Sequence, residues 1–137
     1  MPDIPKIMAQ KACKVMKNAY APYSKYHVGA CVLAEDDTMY TGCNVENISY
    51  GLTNCAERSA IFAMASAGKR KIKAIAVVGS GDELCTPCGA CRQVIREFAS
   101  LDTPIYLCDP RTEKVVETTS LEKLLPKSFG PEHLENK

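Results

Sequence analysis

The stretch IKAIAVVGSGDELCTPCGACRQVIREF, residues 72–98, reads in order as strand, loop and helix. Residues 72–78 are apolar except for Lys73, and Gly79 and Gly81 lie just beyond. A short apolar run closed by turn residues is a strand buried on both faces. Residues 79–86 form the loop, and residues 87–98 start at Pro87, whose fixed φ suits the first position of a helix. A further apolar segment over 105–108 predicts the next strand, joined to the first by a crossover, which the general chirality rule makes right-handed. Upstream, residues 28–34 and 38–45 read as two strands around the turn Glu35-Asp36-Asp37, a hairpin. Ile7, Met8, Ala12, Val15, Met16 and Ala19 recur at helical spacing over 4–20, and a helix over 55–67 ends at Gly68. Residues 115–118 give another strand and 120–125 a short helix capped by Ser120 and stopped by Pro126. The polar tail from 131 is expected to be loose. Strands interleaved with helices imply an α/β layered domain on one mixed sheet, a single domain over 1–137.

Composition limits what such a domain can do. The chain has 137 residues, 46% hydrophobic and 24% charged, with a formal net charge of +1. That balance is ordinary for a globular protein and excludes a disordered or collagen-like chain. The opening Met1-Pro2-Asp3-Ile4-Pro5-Lys6 lacks the basic and apolar regions of a secretory signal, and no apolar run approaches the roughly 18 residues of a bilayer span. A soluble, cytoplasmic protein without a membrane partner is expected. Lys69, Arg70, Lys71 and Lys73 form a basic cluster. With a net charge so near zero, this cluster reads as a solvated helix end or an interface rim, and no nucleic-acid partner is expected.

Eight cysteines in this chain are about 6% of the residues, below the roughly 8–10% of a disulfide scaffold. In a reducing compartment, closely spaced cysteines point to metal or redox chemistry. Cys55-Ala56-Glu57-Arg58 opens one predicted helix and Pro87-Cys88-Gly89-Ala90-Cys91-Arg92 another. Helix N-termini favour thiolates, and thiolates bind zinc at about 2.3 Å. Cys55, Cys88 and Cys91 are therefore the expected ligands of one Zn²⁺ per chain, with the fourth position open for water, as in catalytic sites. Cys55 and Glu57 would diverge on a regular helix, so Cys55 must sit at or before its first residue. Glu57 can then aim at the open side and move a proton. Three thiolates overbalance the +2 charge of zinc, an excess that Arg58, or less directly Arg92, can offset by hydrogen bonding to sulfur. Two other readings compete: a redox Cys-x-x-Cys, and a closed four-sulfur structural site that adds Cys85. Cys13, Cys31, Cys43 and Cys108 read as small core residues.

Five segments carry a family resemblance: Tyr23-Ser24-Lys25-Tyr26-His27-Val28-Gly29-Ala30, Gly42-Cys43-Asn44-Val45-Glu46-Asn47, Cys55-Ala56-Glu57-Arg58, Pro87-Cys88-Gly89-Ala90-Cys91-Arg92-Gln93 and Leu124-Leu125-Pro126-Lys127-Ser128-Phe129-Gly130. Together they resemble the short, homotetrameric cytidine deaminases of the zinc-dependent nucleoside deaminase superfamily. The resemblance implies a three-layer α/β/α sandwich around a mixed five-stranded sheet. It further implies that activated water attacks C4 of cytidine or 2′-deoxycytidine while Glu57 protonates N3 and then the departing ammonia, in pyrimidine salvage. Asn44 and Glu46 match positions that hold the ribose hydroxyls, and Ala56 one whose backbone contacts the base. Phe129 matches an aromatic that stacks on the base from a neighbouring subunit, which makes the homotetramer part of the site. Tyr50 matches a position linked to subunit contacts. Tyr26 stands where the family usually has Phe and brings an extra hydroxyl. A deaminase of a nucleoside antibiotic such as blasticidin S shares the zinc signature, and a non-catalytic zinc-stabilised interaction protein is the reading from another class.

Overall fold

The strand over Val28–Ala34 (β1) is buried along its whole length, and the strand over Ile72–Gly79 (β3) is buried except at Lys73. Both therefore need cover on two faces, and the computed structural model, which describes residues 2–135, supplies it. Strands over Met39–Cys43 (β2), Pro104–Cys108 (β4) and Val115–Ser120 (β5) complete a five-stranded sheet in the order β2-β1-β3-β4-β5. β3 and β4 pair in parallel and every other neighbour is antiparallel. This is the mixed sheet expected from the sequence.

Alternation along the strands divides the core in two. Val28, Ala30, Val32, Ile75, Val77, Ile105 and Leu107 face the helices Ala56–Ser66 (α2) and Gly89–Phe98 (α3), which contribute Ile61, Met64 and Ile95. Cys31, Leu33, Ala74, Ala76, Val78 and Cys108 face the opposite way, onto Met8, Ala9, Ala12 and Cys13 of the helix Ile4–Met16 (α1). A register shift between Leu33 and Ala34 leaves Lys73 as the extra residue of a bulge, so Ile72 turns to the α2 side although Ala74 does not. Of the four cysteines read as core, Cys13, Cys31 and Cys108 are buried and Cys43 is half-buried.

Several boundaries differ from the sequence expectation. α1 stops at Met16 rather than at 20, because the Tyr20 amide donates to Asn44 O at 2.9 Å and the Tyr20 carbonyl accepts from Glu46 N at 2.8 Å. α3 begins at Gly89 rather than at Pro87, and β5 runs two residues past its expected end. The short helix Leu121–Leu124 (α4) has Ser120 as its cap, as expected. The tail is not featureless: residues Glu132–Glu135 form a helical turn (α5). A 3-10 turn at Tyr50–Leu52 also lies within the polar stretch before α2.

The basic cluster faces the acidic turn of the hairpin. Lys69 pairs with Asp36 at 2.8 Å and Lys73 with Asp37, while Glu35 accepts from the Arg70 amide at 2.8 Å. Arg70 Nη1 donates to the Ala65 carbonyl at 2.8 Å near the C-terminal end of α2, a placement the helix dipole favours.

The register places one end of the sheet around the site. Val28 pairs with Gly79 and Gly29 with Cys43, so the start of β1, the end of β2 and the end of β3 share an edge. Ligands gather beyond the carboxyl ends of such strands. α2 closes on this edge at Gly42, where an added Cβ would stand 2.7 Å from the Ala56 carbonyl oxygen and nearer still to the Ala60 amide.

Candidate zinc and active site

Both site helices start on a cysteine. Cys55 is the N-cap of α2, with extended φ −76° and ψ 158°, and Cys88 is the N-cap of α3, with φ −68° and ψ 169°. An N-cap side chain faces the third helical residue, the geometry of a capping box. In α3 that residue is Cys91 and in α2 it is Arg58, whose Nη2 donates to Cys55 Sγ at 3.3 Å. The extended backbone at Cys55 resolves the spacing problem, since Glu57 alone of the pair is on the regular helix.

The thiols of Cys55, Cys88 and Cys91 lie within 4.8 Å of one another, with Cys55 and Cys88 at 3.7 Å. Ligands about 2.3 Å from a tetrahedral zinc stand about 3.8 Å apart, so this spacing fits the ion. The chemistry of the donors fits as well. Three adjacent thiols resist ionising together: hydrogen bonding from Cys91 first, and also from Arg58, brings Cys55 down to about 5, whereas the bond to Cys55 and burial push Cys91 up. A divalent cation relieves that conflict by stabilising all three thiolates. Arg58 Nη2 reaches the Cys55 sulfur, while its buried Nε has no hydrogen-bond partner among the described residues. Cys85 is not part of the cluster; its thiol donates instead to the Thr86 carbonyl at 3.9 Å.

A cleft of 290 Å³ opens beside the thiols, lined among others by Tyr26, Asn44, Glu46, Ala56, Glu57 and Cys85. Glu57 is 3% exposed, and burial pushes its carboxyl up to about 7, suited to accepting and returning a proton near neutrality. Asn44 clamps the approach to β1: Oδ1 accepts from Val28 N and Nδ2 donates to Tyr26 O, both at 2.9 Å. Glu46 Oε1 accepts from Tyr23 N at 3.0 Å and Ser24 N at 3.1 Å, and its other oxygen takes the Ser24 hydroxyl. The Ser24 hydroxyl is the first cause holding the Glu46 carboxyl below its usual range. Ala56 is buried, Tyr26 is 37% exposed, and Phe129, at 59%, does not line the cleft of its own chain.

Sequence reasoning missed Ser24 and Thr53, which line the cleft. Ser24 lay inside a quoted motif, but its partner Glu46 is distant in sequence. Arg92 does not reach the sulfurs. It donates to Pro87 O at 2.7 Å, Leu124 O at 2.8 Å and Thr86 Oγ1 at 3.3 Å, pinning the loop before Cys88.

Residues 3–107 match the family model for the cytidine and deoxycytidylate deaminase zinc-binding region. The chain belongs to that family. It is 48% identical over 132 residues to a cytidine deaminase of Sporosarcina psychrophila, covering 96% of this chain and 95% of the relative. The crystal structure of the cytidine deaminase from Burkholderia pseudomallei superposes with a TM-score of 0.84 at 42% identity, covering 94% of this chain and all of that one. That from Mycobacterium tuberculosis superposes with a TM-score of 0.81 at 38% identity, over 95% and 99% of the two chains. As a member of the deaminase family, the chain is an enzyme with zinc as its cofactor, and the three-thiol cluster can hold a metal ion.

Proposed function

We propose that this single-domain chain deaminates cytidine and 2′-deoxycytidine to uridine and 2′-deoxyuridine, releasing ammonia, in pyrimidine salvage in the cytoplasm. The observation that carries the reading is a buried carboxylate beside three clustered thiols in a cleft lined by no lysine or arginine among the described residues. Two carboxylates, Glu46 and Glu57, with no facing cation disfavour a substrate phosphate, which supports a nucleoside over a nucleotide.

Zinc, when bound by Cys55, Cys88 and Cys91, supplies Lewis-acid activation of water. Glu57 accepts one proton of the water and delivers it to N3 of the base, then takes the second proton from the oxygen now bonded to C4 and delivers it to the leaving amine, a cycle its raised pKa suits. Arg58 offsets the excess charge of three thiolates. Asn44 retains one lone pair and one N–H beyond its backbone bonds, and with Glu46 it offers the ribose hydroxyls donors and acceptors. The Ala56 backbone contacts the base, and the Tyr26 ring forms a wall of the cleft.

Assembly as a homotetramer accounts for apolar side chains left in solvent. Ile48, Tyr50 and Leu52 are 77%, 72% and 71% exposed, and Phe129, at 59%, does not line its own cleft. A Phe129 that stacks on the base in a neighbouring subunit completes four shared sites.

The test is ultraviolet monitoring of purified, zinc-quantified protein with cytidine, 2′-deoxycytidine, deoxycytidylate and blasticidin S. Turnover of the two nucleosides at rates at least tenfold above the others is expected. Preferential turnover of deoxycytidylate or of blasticidin S refutes the substrate assignment.

A further inference from the structure

Two charged side chains are buried among the described residues: Glu57, at 3% exposure, and Arg96, at 5%. Glu57 belongs to the chemistry, but Arg96 lies on the far half of α3 with no part in it. Burying a guanidinium is unfavourable unless its donors are met, and here they are met by one short stretch of chain. Nε donates to Ser128 Oγ at 2.7 Å, Nη1 to Glu132 Oε1 at 3.1 Å, and Nη2 to the other Glu132 oxygen, a fork-on-fork pair. Gly130 passes directly over the group, where an added Cβ would stand 2.5 Å from Nη2 and closer to Cζ and Nη1. Gln93, one turn earlier on the same face, donates to the Phe129 carbonyl at 2.9 Å.

Residues 128, 129 and 132 are thus hydrogen-bonded from α3, the helix whose N-cap is Cys88 and whose first turn carries Cys91. What this lock leaves outside is the Phe129 ring, 59% exposed and stacked on His133 with centroids 4.8 Å apart. A rigid backbone that presents a large exposed aromatic is the arrangement expected of a preorganised contact, because ordering the ring before binding lowers the entropy lost on binding.

We propose that Arg96, acting through Ser128 and Glu132, is a positioning residue that sets the angle at which Phe129 enters the cleft of a second copy of this chain. This deepens the reading above, since it rests on Phe129 completing a neighbour's site. The same α3 then carries two zinc ligands of one site and the anchor for the stacking ring of another.

The experiment is steady-state kinetics on cytidine for the zinc-loaded enzyme and its Phe129→Ala, Glu132→Ala, Gln93→Ala and Phe129→Ala/Glu132→Ala variants, with zinc content and assembled mass recorded for each. Phe129→Ala is expected to raise KM about tenfold, within the range of a base–aromatic stack. Glu132→Ala is expected to raise KM about three- to tenfold with kcat and zinc content held, and the double variant to be no worse than Phe129→Ala alone. A merely structural anchor would instead lower the active fraction, and so the apparent kcat, leaving KM in place. An unchanged KM in Glu132→Ala, or single effects that multiply in the double variant, overturns the positioning role. If Glu132→Ala does not fold, Gln93→Ala, an exposed change on the same lock, takes its place in the cycle with the same criteria. If Phe129→Ala itself leaves KM unchanged, the shared-site reading fails first, and the two failures are told apart.

Discussion

Gly42→Ala tests whether the close seat of α2 on β2 is what places Cys55 and Glu57. The added Cβ would meet the Ala56 carbonyl oxygen at 2.7 Å and the Ala60 amide closer still, whereas ordinary contact begins at 3.4 Å, so α2 must retreat by at least about 0.7 Å. Both neighbours are backbone atoms of one helix and cannot rotate away. Overpacking of this kind costs about 1–3 kcal/mol. For a chain of this size that lowers Tm by about 4–12 °C. The chemistry suffers more than the fold: a displacement approaching 1 Å in a reacting group costs on the order of a hundredfold. We expect kcat on cytidine to fall tenfold to a hundredfold in the folded, zinc-quantified variant, with Tm read by circular dichroism. A variant that melts within 1 °C of the wild type, or keeps its kcat within about twofold, would refute the claim that this contact sets the site.

Three further outcomes follow from the same geometry. Asn44→Ala leaves the Val28 amide without its partner, so urea unfolding should show a loss of about 1–3 kcal/mol, and a loss below about 0.5 would mean the clamp is immaterial. Chelating zinc should lower Tm, because an ion at a hundredfold excess over its Kd that binds only the folded cluster contributes about 2.7 kcal/mol. Cys88→Ala should abolish the difference between chelated and zinc-loaded samples, whereas equal melting of the two wild-type samples contradicts the site. Tyr26→Phe removes the hydroxyl but keeps the ring that lines the cleft, so KM should stay within about threefold. A larger rise in KM would show that the hydroxyl itself reaches the substrate.

The chain advertises its layers more openly than its contacts. The apolar runs of β1 and β3 announce strands covered on both faces, and the two cysteine-led helix starts announce a metal, because burial and ligand chemistry are written locally. The two misplaced helix ends have different causes, remote partners for α1 and a neighbouring cap for α3. α1 ends early because Tyr20 pairs with Asn44 and Glu46, and α3 starts late because Cys88 serves as its N-cap. The sequence does not single out Arg96, because the groups that meet its guanidinium, Ser128 and Glu132, lie more than thirty residues on. Gly42 gives no local sign that a helix will cross it at close range. Arg58 and Arg92 both stand beside cysteines, with Arg58 the one favoured from the sequence. The N-cap relation turns one onto sulfur, and the carbonyls of Pro87 and Leu124 capture the other.

The central claim is that Glu57 moves the proton at a three-thiolate zinc site, and Glu57→Gln tests it most directly, since the amide preserves size but cannot act as the base. Zinc content and cytidine turnover should be measured on the same preparation, beside the wild type. The account predicts about one zinc per chain in both proteins and a loss of turnover of about 10²–10⁴-fold in the variant. A variant that keeps its zinc and turns over cytidine within about twofold of the wild type would contradict it.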